Sequence, residues 1–159
     1  TFMNSDISMT NESFGFLKNS NGFLNIILNN IQSCILLLDK DMRLSGFNDD
    51  MKSIFSNKRD EDLMDLPCGE AIGCAFQIEE QKECGSTSHC SECDLRLSAL
   101  SSYVENETIY KDHIIKPFFT HDQKRVNKHL QFSTRLFMFN REKYIIMIVD
   151  DVSKWFEKK

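Results

Sequence analysis

Apolar and polar positions change their period several times along the chain, and each change marks an element. Between residues 23 and 31, Leu24, Ile27, Leu28 and Ile31 recur at helical spacing, which puts them on one side of a helix. That side needs burial, either on the chain's own sheet or against a second copy of the domain, and a homodimer is the expected assembly. Residues 34–39 form a short apolar run closed by the polar turn Asp39-Lys40-Asp41, and residues 42–47 resume in extended fashion. This is the pattern of a β-hairpin. Met51, Ile54 and Phe55 are then spaced for a short helix, with Asn48, Asp49 and Asp50 placed to cap it.

From residue 57 to residue 93 the periodicity disappears, yet the stretch is too long to be a mere connection, so something other than its own apolar residues must organise it. Helical order returns after Cys93, where Leu97, Leu100 and Val104 share a face that Ala99 and Tyr103 widen. Three strands follow: residues 108–119, where Pro117 argues for an edge or a strand end; residues 128–139, with Leu130, Phe132, Thr134, Leu136 and Met138 on one face; and residues 143–149, apolar enough for a central strand buried on both faces. Trp155 and Phe156 mark the start of an exit helix. The order predicts an α+β domain, a five-stranded antiparallel sheet with helices on one face and an inserted cysteine-rich loop over residues 66–94. Residues 1–22 read as a tail or loose helix, 23–153 as the domain, and 154–159 as the start of a linker or signalling helix.

Composition narrows the function. The 159 residues carry a net charge of −5 with acidic and basic residues mixed, so no concentrated positive field is available for nucleic acid. The longest apolar runs, residues 35–38 and 144–149, are far shorter than the roughly 18 residues needed to cross a bilayer. Neither a membrane contact nor a signal peptide is expected, which points to the cytoplasm. There is no Gly-rich phosphate loop, no Gly-x-Ser-x-Gly elbow and no His-Glu-x-x-His helix, so the fragment is not expected to be an enzyme. Acidic pairs such as Glu79-Glu80 and Asp150-Asp151 read as solvated charges or caps.

The chemistry is concentrated in sulfur. Five of the six cysteines fall between Cys68 and Cys93, spaced Cys68-x5-Cys74-x9-Cys84-x5-Cys90-x2-Cys93. Such local clustering in a core-forming chain favours metal binding over a disulfide framework. The Cys90-x-x-Cys93 pair sets two thiolates at one turn, with further ligands arriving from a distance. Gly69, Gly73 and Gly85 let the backbone bend beside the sulfurs, Ser86, Thr87, Ser88 and Ser91 offer hydroxyl donors, and the helix start beyond Cys93 adds positive charge. Cys74, Cys84, Cys90 and Cys93 are the expected ligands, with Cys68 and His89 as alternates. Four thiolates suit an iron–sulfur cluster, 4Fe–4S ahead of 2Fe–2S, or a zinc ion, and ligand identity does not separate them. Cys34, alone in a strand, reads as a small core residue. His113, His121 and His129 are scattered and suggest no site.

Over residues 23–153 the chain resembles a PAS domain. The resemblance rests on Phe23-Leu-Asn-Ile-Ile-Leu-Asn-Asn-Ile31, Ile35-Leu-Leu-Leu-Asp39, Phe47-Asn-Asp49 with Met51 and Phe55, and Ile148-Val-Asp-Asp-Val-Ser153. The middle, Gly73-Cys74, Cys84-Gly85, Ser88, Cys90-x2-Cys93 and Leu95-Arg96, is similar to a cysteine-rich PAS subgroup of bacterial signalling proteins. The resemblance implies a sensor joined to an output domain, a histidine kinase, a cyclic-dinucleotide enzyme or a transcription activator. Oxygen-sensing PAS domains with a four-cysteine iron–sulfur cluster are the nearest analogy, though they use two Cys-x-x-Cys pairs and Cys74 and Cys84 are farther apart. A zinc-stabilised interaction module and a small-molecule sensor with structural cysteines are the alternatives.

Overall fold

The computed structural model describes residues 27–28, 30–55, 63–120 and 122–156. The 1–22 tail, the first part of the 23–31 helix, His121 and residues 157–159 lie outside the described residues, while Ile27 and Leu28 are helical.

The hairpin expected from residues 34–47 is β1 (Cys34–Leu38) and β2 (Leu44–Phe47). Asp39 closes it by accepting from the amides of Asp41 at 2.8 Å and Arg43 at 3.0 Å, an Asx turn that lets Met42 take φ 59°. Next come the short helices α1 (Asp49–Phe55), α2 (Cys68–Ile72) and α3 (Ala75–Glu80), and then α4 (Asp94–Glu105). Three long strands finish the domain: β3 (Ile109–Phe119), β4 (Arg125–Phe139) and β5 (Glu142–Asp151). The described chain ends in a 3-10 turn, Ser153–Phe156, where the exit segment begins. All five strands form one antiparallel sheet in the order β2-β1-β5-β4-β3.

One face of the sheet carries the core, in which Leu36, Leu38, Leu130, Phe132, Ile145, Met147 and Val149 are buried beneath α1, α2 and α4. β5 lies centrally as expected, but only its Ile145, Met147 and Val149 face is fully buried; Ile146 and Ile148 on the other face are half-exposed. Its apolar run therefore reflects one packed face and one partly covered face. Pro117 sits on the edge strand β3, where a missing donor costs little.

One packing expectation is corrected. Helix α4 buries Leu95, Ser98, Ala99 and Ser102, while Leu97 and Val104 point outward. The small serines let the helix approach β4, where Thr134 donates to the Ser98 carbonyl at 3.1 Å and shares a 2.7 Å bond with the Ser102 hydroxyl. A fully satisfied polar pair thus outweighs the larger apolar stripe in setting the helix rotation. The Asn48 side chain is buried, accepts from the Ile35 amide at 2.9 Å and donates to the carbonyls of Leu28 and Ser33. It fastens the incoming chain to β1.

The cysteine-bearing segment is mostly helical rather than an open loop, and it straps the domain from edge to edge. At its start Leu44 donates to Leu66 at 2.8 Å and Cys68 to Met42 at 3.1 Å, along the free side of the β2 strand. At its middle Cys74 bridges Phe118 and the Phe119 amide donates to Gly73 at 3.0 Å, along the free edge of β3. Both unpaired sheet edges are partly covered this way.

Candidate functional site

Where the strap turns under α4, the sulfurs of Cys68, Cys74, Cys84, Cys90 and Cys93 line one pocket together with Lys116 of β3 and Arg96 of α4. Cys68 opens α2, Cys74 precedes α3, and Cys93 occupies the N-cap of α4, so the chain turns that create the helices also aim the sulfurs inward. The pocket between them is small, about 30 Å³. That volume accepts a water or two and leaves little room for an organic ligand.

The expected ligands have polar and cationic neighbours. Lys116 lies beside Cys74 and Cys93, whose sulfurs favour its charged form, and the Gly69 backbone lies against Cys84. The Gly85 amide donates to Cys90 Sγ at 3.1 Å, and the Thr87 hydroxyl lies 2.9 Å from the same sulfur. Donors of this kind favour the anionic form of sulfur. At Cys90 burial works to raise the pKa, but Thr87, the Gly85 amide and the Arg96 guanidinium outweigh it and hold the thiol below its ordinary value. Burial pushes Cys84 up, against the Gly69 amide. It pushes Cys68 up strongly, with Cys84, Cys93 and Cys34 acting in the same direction. At Lys116 burial acts to lower the pKa, yet Cys93 and Cys74 prevail and raise it.

The glycines have separate tasks. Gly73 and Gly85 take φ of 80° and 99°, a conformation that suits glycine. Gly69 instead makes room: a Cβ there would lie 2.9 Å from Cys84 Sγ and 3.5 Å from Cys74 Cβ. His89 is stacked on Phe76, with ring centroids 3.7 Å apart, and its Nδ1 faces Ser88 at 3.0 Å and Glu80 at 3.5 Å. Glu80 is no idle surface charge. It accepts from the Ser88 amide and hydroxyl, which hold its carboxyl below the usual range, and so pins the turn before Cys90. Likewise Glu79 pairs with Arg125 at 2.7 Å.

The donor set fits a thiolate-bound metal centre in its chemistry. The sulfurs face a common space without yet meeting at a point, for among the described residues no three His, Cys, Asp or Glu side chains stand in ligating geometry. The cysteines are all free thiols. Cys34 lies apart, fully buried in the sheet core opposite Val149.

Sequence reasoning did not foresee Lys116 or Arg96 as part of this site. It also overlooked a cluster at the exit, where His113 and His129 share a 2.7 Å bond and Phe156 stacks on both rings at 4.1 and 4.6 Å. The cross-strand placement of two histidines on β3 and β4 becomes legible only once the register is known.

No protein-family model and no curated protein matches the chain. Solved structures do resemble it. The PAS domain of an HTR-like protein from Haloarcula marismortui aligns with a TM-score of 0.58 at 14% identity, covering 88% of this chain and 98% of that one. The PAS domain of nitrogen regulation protein NR(II) from Vibrio parahaemolyticus aligns at 0.55 and 11% identity, covering 81% and 97%. A PAS domain from a two-component sensor histidine kinase aligns at 0.54 and 10% identity, covering 89% and 99%. Among the described residues no helix is long and apolar enough to cross a membrane. With its β2-β1-β5-β4-β3 sheet and helices on one face, the chain has the fold of a PAS domain.

Proposed function

We propose that the chain is the sensory PAS module of a bacterial signalling protein, and that Cys74, Cys84, Cys90 and Cys93 hold an iron–sulfur cluster through which it responds to redox state or a gas. The observation carrying this reading is that Cys74, Cys84, Cys90 and Cys93 line one pocket together with Lys116 and Arg96, with the Gly85 amide and the Thr87 hydroxyl meeting the sulfur of Cys90. An iron–sulfur cluster supplies reversible electron transfer and sensitivity to oxygen. The protein's share is to hold four thiolates, donate to them and limit water.

Movement of the sulfurs would be felt in two places: at α4, whose N-cap is Cys93, and at β3, where Cys74 bridges Phe118. From the sheet the route leads to the exit, because the Val152 amide donates to the His129 carbonyl at 2.8 Å and Ser153 accepts from the His129 amide at 2.9 Å. A homodimer and an output domain beyond these residues, such as a histidine kinase, a cyclic-dinucleotide enzyme or a transcription activator, complete the proposal, with no catalysis by this fragment. The free thiols suit a reducing compartment, and we place the module in the cytoplasm.

A second reading, a zinc-stabilised interaction module, is favoured by the size of the pocket, since a single ion between four sulfurs needs little space. Anaerobic purification followed by iron, sulfide and zinc analysis and a visible spectrum separates the two. Iron with matching sulfide and a coloured, oxygen-labile protein support the cluster. One zinc per chain and no colour overturn redox sensing, and no metal at all overturns both.

A further inference from the structure

The inference here concerns the charge of the pocket and rests on the metal-centre reading above. Four thiolates around a divalent ion, or around a cubane core of equal charge, form a net dianion. Burying that dianion under α4 is unfavourable without neighbouring cations.

Two cations stand in the pocket wall. Lys116 is only 8% exposed, an unusual depth for lysine unless a partner compensates it. Its ammonium shares the pocket wall with Cys74 and Cys93 and sits 5.4 Å from the centre of the Phe76 ring. Arg96 comes from the opposite wall, with its guanidinium laid over Gly85, where a Cβ would lie 3.1 Å from Nε and 3.2 Å from Nη2. Gly85 is the residue whose amide donates to Cys90. One cation therefore serves the Cys74 and Cys93 side and the other serves the Cys90 side.

We infer that Lys116 and Arg96 are the fixed counter-charges of the pocket, matched to a dianionic four-thiolate centre. They stand beside the sulfurs rather than ligating an ion and act as positioning residues. Their charge selects a centre whose net charge is negative and disfavours a neutral or cationic occupant such as an ion held by fewer thiolates.

The test compares wild type with Lys116→Met, Arg96→Met and a surface control, Lys124→Met, at an exposed position. All are purified without air, titrated with a chelator, and melted both loaded and stripped of metal. The inference predicts that each pocket variant surrenders its metal at a chelator concentration at least tenfold lower than wild type, while the control does not. It also predicts a reversal of sign for Lys116→Met: the loaded form melts below loaded wild type, whereas the stripped form melts at or above stripped wild type, because a costly buried charge is gone. Metal held by both pocket variants as tightly as by wild type overturns the inference and leaves the metal-centre reading intact. So does an equal loss of stability in the stripped Lys116→Met protein, which would mark a merely structural lysine. Arg96→Met, on a half-exposed helix position, keeps the test decisive if Lys116→Met fails to fold. Wild type that carries no metal overturns both the inference and the reading beneath it.

Discussion

Two buried cysteines show how differently one side chain behaves in two regions of the domain. Cys34 lies in the sheet core, fully buried, paired across the backbone with Val149 and surrounded by apolar side chains. Burial pushes its thiol far up, with Asp50 and Asp150 acting in the same direction, so it stays neutral and behaves as a small hydrophobe. Cys90 lies nearer the surface, 9% exposed against none for Cys34, and there the Gly85 amide, Thr87 and Arg96 hold its thiol below the ordinary value. Depth and the donors aimed at a sulfur together set its chemistry.

The largest expected effect contrasts the two regions directly. Serine replacement of Cys74, Cys84, Cys90 or Cys93, one at a time, should remove most of the bound metal, measured by elemental analysis of protein purified without air. Cys34→Ser should keep the metal and instead cost about 1–3 kcal/mol in urea unfolding, the penalty of a hydroxyl in an apolar site. Metal loss in Cys34→Ser would erase the contrast.

Gly69→Ala sharpens the contrast without touching a sulfur. Because the added Cβ would press on Cys84 Sγ, chelator resistance should fall several-fold, whereas Gly46→Ala at the far hairpin, whose Cβ would meet only the flexible end of Leu37 at 3.3 Å, should leave it unchanged.

Helix α4 connects the two regions, and Thr134→Val tests the connection. The change leaves the buried Ser102 hydroxyl and Ser98 carbonyl without their partner, which should cost about 1–3 kcal/mol of stability in thermal unfolding. Cysteine ligands and metal stoichiometry should be retained.

The smallest effect lies at the exit, away from both. Burial works to raise the Asp151 carboxyl, but the Ser153 hydroxyl and amide and Lys128 at 3.2 Å outweigh it and hold it below the usual range. A carboxylate lowered in the folded state adds stability at pH values above its unfolded range, and that stability is lost as pH falls through the folded value. Asp151→Asn should therefore cost roughly 0.5 kcal/mol near neutrality, as expected of a partly exposed pair. The gap to wild type should close below about pH 4, where the unfolded carboxyl titrates.

The same contrast explains how much could be read in advance. Strand alternation is a local signal, so the hairpin at residues 34–47 and the three closing strands were legible from Leu130, Phe132 and Thr134, from Ile145, Met147 and Val149, and from Pro117. That five cysteines would gather in one region was legible from their clustering between residues 68 and 93. The rotation of α4 was not, because Leu97 and Val104 form the stronger apolar stripe and the deciding contact is Thr134, 36 positions from Ser98. Lys116 was equally hidden: in sequence it is one more charge on an edge strand, and only the strap running from β2 to β3 carries Cys74 to it. The bonds from Asn48 to Leu28, Ser33 and Ile35 were hidden too, because a local window shows a polar residue before a helix and not the partners that precede it in the chain.

X-ray absorption at the metal edge, on protein purified without air, tests the central claim most directly. The account predicts four sulfur neighbours per metal atom at about 2.3 Å, with a lower sulfur count in the Cys90→Ser protein where any metal remains. A first shell of nitrogen or oxygen, or fewer than four sulfurs in the wild type, would contradict it.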